Sequence, residues 1–118
     1  MSKRIWLLAI LLMAVIARVG AAIALGNDVT DLPGIADQLS YDTLAQRVLA
    51  GYGFSFATFS WPYAAPNQPT SFWSFPYALY LASIYATVGH QPIVARIIQA
   101  IAVGVLHTWL AWRIARRA

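Results

Sequence analysis

Residues 5–25 read "IWLLAILLMAVIARVGAAIAL", a run whose only charge is Arg18. About twenty such residues cross the ~30 Å hydrocarbon core of a bilayer as a helix. Lys3 and Arg4 stand directly before it, as basic residues do on the cytoplasmic side of a span. A secretory signal is the competing reading. The apolar stretch before Arg18 has the length of a signal's hydrophobic region, and "AIA" at 22–24 resembles a small-residue cleavage site. The apolar run resumes after Arg18, which favours a transmembrane helix.

The rest of the chain follows from that span. Of 118 residues, 60% are hydrophobic and only 10% charged, far from the roughly 25% charged of soluble domains. A second span occupies residues 93–112, and beyond it come Arg113, Arg116 and Arg117. The positive-inside rule therefore puts both termini in the cytoplasm. Between the spans, the segment from Asp28 to Phe72 contains four aspartates and one arginine, a net charge of −3, and with them every acidic side chain of the protein. The absence of cysteine excludes disulfides, thiolate metal sites and cysteine nucleophiles. The net charge of +4 does not point to nucleic acid, because the basic residues gather at the two ends and do not interleave with aromatics.

These observations predict an all-α membrane protein with two transmembrane helices and a long external loop carrying amphipathic and interfacial helices. The divisions are a cytoplasmic N-terminus at 1–4, helix one at 5–25, an external, periplasmic loop at 26–92, helix two at 93–112 and a cytoplasmic basic end at 113–118. Within the loop, "SFWSFPYALYLASIYATVG" at 71–89 is uncharged and aromatic. It would serve as a third span, but that would carry the arginine-rich end outside. Its rings suit a helix at headgroup level over 72–88. The prolines of "SWPYAAPNQPTSF" at 60–72 make an irregular loop.

From Asp37 to Ala50, Tyr41, Leu44, Ala45, Val48 and Leu49 recur at spacings of three and four, the pattern of an amphipathic helix over 37–50. Gly51 and Gly53 end it and turn the chain, and "GYGFSF" offers a strand-like alternation. Asp37 shares a face with Tyr41, Leu44 and Val48. It is either the helix cap or a carboxylate held at the membrane surface as a general base or metal ligand. Asp42 falls with Gln38 and Gln46 on the polar face, where a carboxylate is solvated. Asp28 and Asp31 read as turn or cap residues.

The series Asp37, Tyr41, Leu44 and Ala45, then Gly51, Gly53 and Phe54, then Pro69 and Thr70, Tyr77, Gly89, and finally Ala95, Arg96 and Gln99 resembles the first external loop and second membrane helix of bacterial C-type (GT-C) glycosyltransferases. That group includes relatives of the protein O-mannosyltransferases and of the transferase that places aminoarabinose on lipid A. Two departures stand out: Gln38 occupies a place where many relatives have Glu, and "SFPYA" keeps Pro76 and Tyr77 without the usual intervening glycine. The resemblance implies an enzyme that moves a sugar from a dolichyl- or polyprenyl-phosphate donor to a lipid, glycan or protein acceptor on the external face of the bacterial inner membrane. It implies Asp37 as base or metal-linked carboxylate. Tyr41, Arg18 and Arg96 are candidates for binding substrate or donor, with a divalent metal only in the whole enzyme. Full members carry further helices and further acidic residues, whereas no acidic residue follows Asp42 here. The expectation is an N-terminal part of such an enzyme, inactive alone. The alternative is a complete two-span protein that binds lipid or a partner helix without catalysis.

Some residues also have bland readings. An arginine inside a span is costly, so Arg18 either snorkels outward or pairs within a bundle, or it meets a donor phosphate. Arg96 and Gln99 either bond a neighbouring helix or bind ligand. His90 and His107 have no metal-ligand spacing. Trp109 and Trp112 are interface anchors beside the terminal arginines.

Overall fold

The computed structural model describes residues 3–30, 33–60 and 64–117, with side chains from Ile5 onward. Asp31 and Pro62, read above as a turn residue and a loop breaker, lie outside the described residues. Those described form four helices and no strand: α1 (Lys3–Leu25), α2 (Asp37–Leu49), α3 (Phe75–Val88) and α4 (Pro92–Ala115). They divide into two compact units, one built from α1 and α4 and the other from Asn27–Pro92.

In the first unit, α1 and α4 have 23 and 24 residues, about 35 Å each at 1.5 Å per residue. Both are long and apolar enough to cross a membrane. Leu8, Leu12, Met13 and Ile16 on α1 and Ile98, Ile101, Val105 and Leu106 on α4 are exposed, the surface a helix presents to lipid. The two helices meet at Gly104. A Cβ there would lie 3.0 Å from Val15 Cγ2 and 3.4 Å from Val15 Cα, so glycine allows the close backbone approach typical of membrane helix pairs. At the other end, Gly26 adopts a φ of +56° and its N–H reaches the Ala22 and Ile23 carbonyls, each at 3.1 Å. Arg96 donates to the carbonyls of Leu25 at 3.3 Å and Gly26 at 2.6 Å. It thereby satisfies acceptors that the end of α1 leaves open, at the negative pole of the helix dipole.

In the second unit, α2 begins after Ala36, which is the N-cap and makes no side-chain capping bond. Asp37 is the first helical residue rather than the cap, and its carboxylate faces water. The C-terminus is a Schellman closure: Gly51, at φ +84°, donates to Val48 at 3.2 Å and Tyr52 donates to Arg47 at 3.0 Å. The chain then folds back on α2. Phe54 and Phe56 carbonyls accept from Thr70 at 3.0 Å and Asn67 at 2.7 Å, with an isolated bridge between Ser55 and Pro69. The expected strand-like piece does not extend, because Pro69 has no N–H to continue a ladder.

Arg47 ties this loop down, with Nη2 donating to Ser55 Oγ at 3.2 Å and Asn67 Oδ1 at 2.8 Å while the guanidinium lies over the Tyr52 ring. Leu44, Phe56, Ala64, Trp73 and Ala78 form the buried core, with Tyr41 and Phe54 against it. Burying a leucine as fully as Leu44 contributes roughly 1.5–3 kcal/mol.

Helix α3 starts at Phe75, three residues later than position 72. Trp73 is drawn into the core against Phe56, ring centroids 4.8 Å apart, which a helical turn at 72–74 would not permit. Pro76 sits in the first turn, where its missing N–H costs nothing. With 14 residues, α3 spans about 21 Å, too short to cross the hydrocarbon core. It packs instead against α2.

Candidate functional site

Arg18 and Arg96 come from different helices, yet both line one open groove of about 290 Å³ between α1 and α4, together with Gln99 and the apolar side chains of Ala22, Leu25 and Val103. Two of the three sequence candidates for substrate or donor binding thus come together, without Tyr41. Arg18 gives one N–H to the Ala14 carbonyl at 3.3 Å and is otherwise exposed, so most of its five donors remain open. Arg96 Nη1 donates to the end of α1. Two guanidiniums at the edge of an apolar groove have the chemistry to meet an anion carrying a hydrocarbon tail, because planar guanidinium groups can bind phosphate in a bidentate manner.

Asp37 and Tyr41 lie in the other unit, one turn apart on α2. Asp37 is exposed. Tyr41 is half-buried, its ring edge-on to Tyr77 at 4.9 Å, and its hydroxyl accepts the Ser74 N–H at 3.1 Å just before α3. That bond joins the two helices of the unit.

Asp42 departs from its expected place in water. It is 5% exposed, and three side chains converge on it. Oδ1 accepts from the Tyr85 hydroxyl at 2.7 Å and from His90 Nε2 at 2.8 Å, while Oδ2 accepts from Gln46 Nε2 at 2.7 Å and lies 3.0 Å from His90 Nε2. Tyr85 is itself buried and meets the His90 ring edge-on at 4.9 Å. A buried carboxylate is tolerable only with such partners. The helical spacing did place Gln46 beside Asp42. It carried no sign of Tyr85 and His90, which arrive from α3 and the turn after it and convert a polar face into an interior one. The one local cue is Gly89, whose φ of +79° and ψ of −176° belong to a region essentially confined to glycine.

Among the described residues, no three histidine or acidic side chains gather as a metal site. Asp37, Asp42 and His90 therefore do not make a complete donor set for the divalent ion that the resemblance implies. Comparison with protein-family models, curated proteins and solved structures gives no match.

Proposed function

We propose that the chain is the donor-binding N-terminal part of an integral-membrane glycosyltransferase that draws sugar from a polyprenyl-phosphate carrier. The observation that carries this reading is the α1–α4 groove with Arg18 and Arg96 at one place and apolar walls around them. The polyprenyl tail lies along the apolar helix faces, and the guanidiniums neutralise the phosphate. As the bond from the anomeric carbon to the phosphate oxygen breaks, negative charge grows on the leaving phosphate. Fixed cations stabilise that charge more in the transition state than in the ground state.

On this reading the protein sits in a bacterial inner membrane with both termini cytoplasmic and the Asn27–Pro92 unit outside. Two features support that orientation. Arg113 lies over the Trp109 ring at 5.0 Å and Arg116 over Trp112 at 4.8 Å, a pairing of aromatic and basic anchors suited to the cytoplasmic interface. All acidic residues fall in the unit between the helices. Asp37, exposed and paired with no described residue, is assigned to the acceptor, where a carboxylate receives hydrogen bonds from lipid, glycan or protein hydroxyls.

The test is binding of polyprenyl phosphate to the full chain in nanodiscs. A charge-assisted hydrogen bond contributes about 1.5–3 kcal/mol, so Arg18→Gln should weaken binding roughly 10- to 100-fold. Equal affinity of the wild type and Arg18→Gln would overturn the reading.

A further inference from the structure

We infer that the α1–α4 pair carries a binding site for one anionic glycerophospholipid at the end where α1 starts and α4 finishes. An acyl chain lies in an apolar groove between the helices, and the headgroup phosphate sits among the arginines beside it. The site is independent of the glycosyl-transfer reading and stands at the other end of the two helices from Arg18 and Arg96.

The groove is lined by Trp6, Leu7 and Ile10 of α1 and by Thr108, Ala111 and Trp112 of α4, and has a volume of about 500 Å³. That is within the roughly 300–1,000 Å³ of small-molecule sites. Thr108, Ala111 and Trp112 share one face of α4 by their spacing of three and four. The Thr108 hydroxyl donates to the Gly104 carbonyl at 2.8 Å, one turn back on its own helix, so it makes no demand on whatever fills the groove. Trp6 and Ile10 are exposed. The walls therefore suit a hydrocarbon chain.

A second pocket adjoins the first through Trp112, which lines both. It has a volume of about 290 Å³ and is formed with Trp109, Arg113, Arg116 and Arg117. Each tryptophan carries an arginine one turn further along α4: Arg113 lies over the Trp109 ring at 5.0 Å and Arg116 over Trp112 at 4.8 Å. The ring faces hold the guanidiniums and leave their N–H edges to donate to an acceptor. Neither segment of this unit, Met1–Gly26 or Ile93–Ala118, contains an acidic residue. Three cations thus share a pocket with no carboxylate of their own unit to neutralise them, and a phosphodiester supplies the missing charge. Charge alone would accept any anion. The adjoining groove selects one that carries a hydrocarbon chain.

The alternative is that the arginines attract anionic headgroups by surface charge only, with no seat for a chain. Filling the groove separates the two, because it leaves every charge in place.

The experiment reconstitutes the full chain in phosphatidylcholine vesicles with a trace of spin-labelled phosphatidylglycerol or spin-labelled phosphatidylcholine. Electron paramagnetic resonance reads the fraction of each that the protein immobilises. Phosphatidylglycerol should be preferred about tenfold, and Arg113→Gln combined with Arg116→Gln should lower that preference at least fivefold. Ala111→Phe should lower it as far with the charge unchanged. Ala115→Leu, which fills the same groove with a smaller addition, guards against misfolding of the first variant and should act in the same direction. Absence of a preference in the wild type overturns the inference. A preference kept in both filled variants overturns it too, and assigns the attraction to surface charge. Displacement by millimolar inorganic phosphate at constant ionic strength would reduce the site to an anion pocket without a chain seat, which also overturns it. Exclusion of both lipids, together with self-association that Ala111→Phe abolishes, would give the groove to a second copy of the chain and overturn the lipid as occupant.

Discussion

The cluster around Asp42 makes a quantitative demand. Replacing Asp42 with alanine removes the carboxylate to which the buried Tyr85 hydroxyl donates, and a hydrogen bond to a charged group contributes about 1.5–3 kcal/mol. Gln46 and His90 are exposed and turn to water, so they add little. With the loss of the charge-assisted bond, Asp42→Ala should cost about 3 kcal/mol. Tyr85→Phe removes one donor to a carboxylate that keeps two others, at a cost of about 2 kcal/mol. In the double variant the Tyr85–Asp42 bond is already absent, so Tyr85→Phe adds nothing further and the cost should match that of Asp42→Ala alone. The coupling energy is then about 2 kcal/mol, of the size expected for residues in direct contact. Hydrogen exchange of the α2 amides in the full chain reads these values directly. Exchange should accelerate about 100-fold in Asp42→Ala, about 30-fold in Tyr85→Phe, and again about 100-fold in the double variant, at tenfold per 1.4 kcal/mol. Single-variant accelerations that simply multiply in the double variant would refute the reasoning, because additivity means that Tyr85 and Asp42 are not bonded.

Three further outcomes follow from the packing. Gly89→Ala forces a side chain into a backbone region that costs about 1–3 kcal/mol. Since nothing lies within 4 Å of its Cβ, the effect should appear as a displaced His90, read as loss of the Nε2 proton signal. Gly104→Val adds bulk against Val15 and should separate α1 from α4, which spin-label distances between the two helices would record; an unchanged distance would refute the close approach. Leu44→Ala opens a cavity in the core of the α2–α3 unit and should cost about 2–5 kcal/mol, measured by the same amide exchange.

The sequence disclosed the elements better than it disclosed their contacts. Hydropathy marked α1 and α4 because lipid crossing demands a property each segment carries by itself. The three- and four-residue spacing marked α2, and the glycines after Leu49 marked its end, since these too are local. The start of α3 was misjudged because Phe72 and Trp73 look helical by composition, whereas Trp73 is claimed by Phe56 from the loop before it. The fate of Asp42 was hidden for the same reason. Periodicity assigns a residue to a face, but only the partners across the fold, Tyr85 and His90, decide whether that face meets water. The convergence of Arg18 and Arg96 was likewise visible only as two isolated candidates until α1 and α4 were paired.

The central claim is that a lipid-linked phosphate sits between α1 and α4, and photocrosslinking locates it most directly. A polyprenyl phosphate bearing a diazirine on the first isoprene unit, irradiated with the full chain in nanodiscs, should label the residues that line the groove, among them Ala22 and Val103. Labelling there should fall about tenfold or more in Arg18→Gln. Crosslinks confined to the outward faces of α1 and α4, at Leu8, Leu12 or Ile101, and unchanged in Arg18→Gln, would contradict the account.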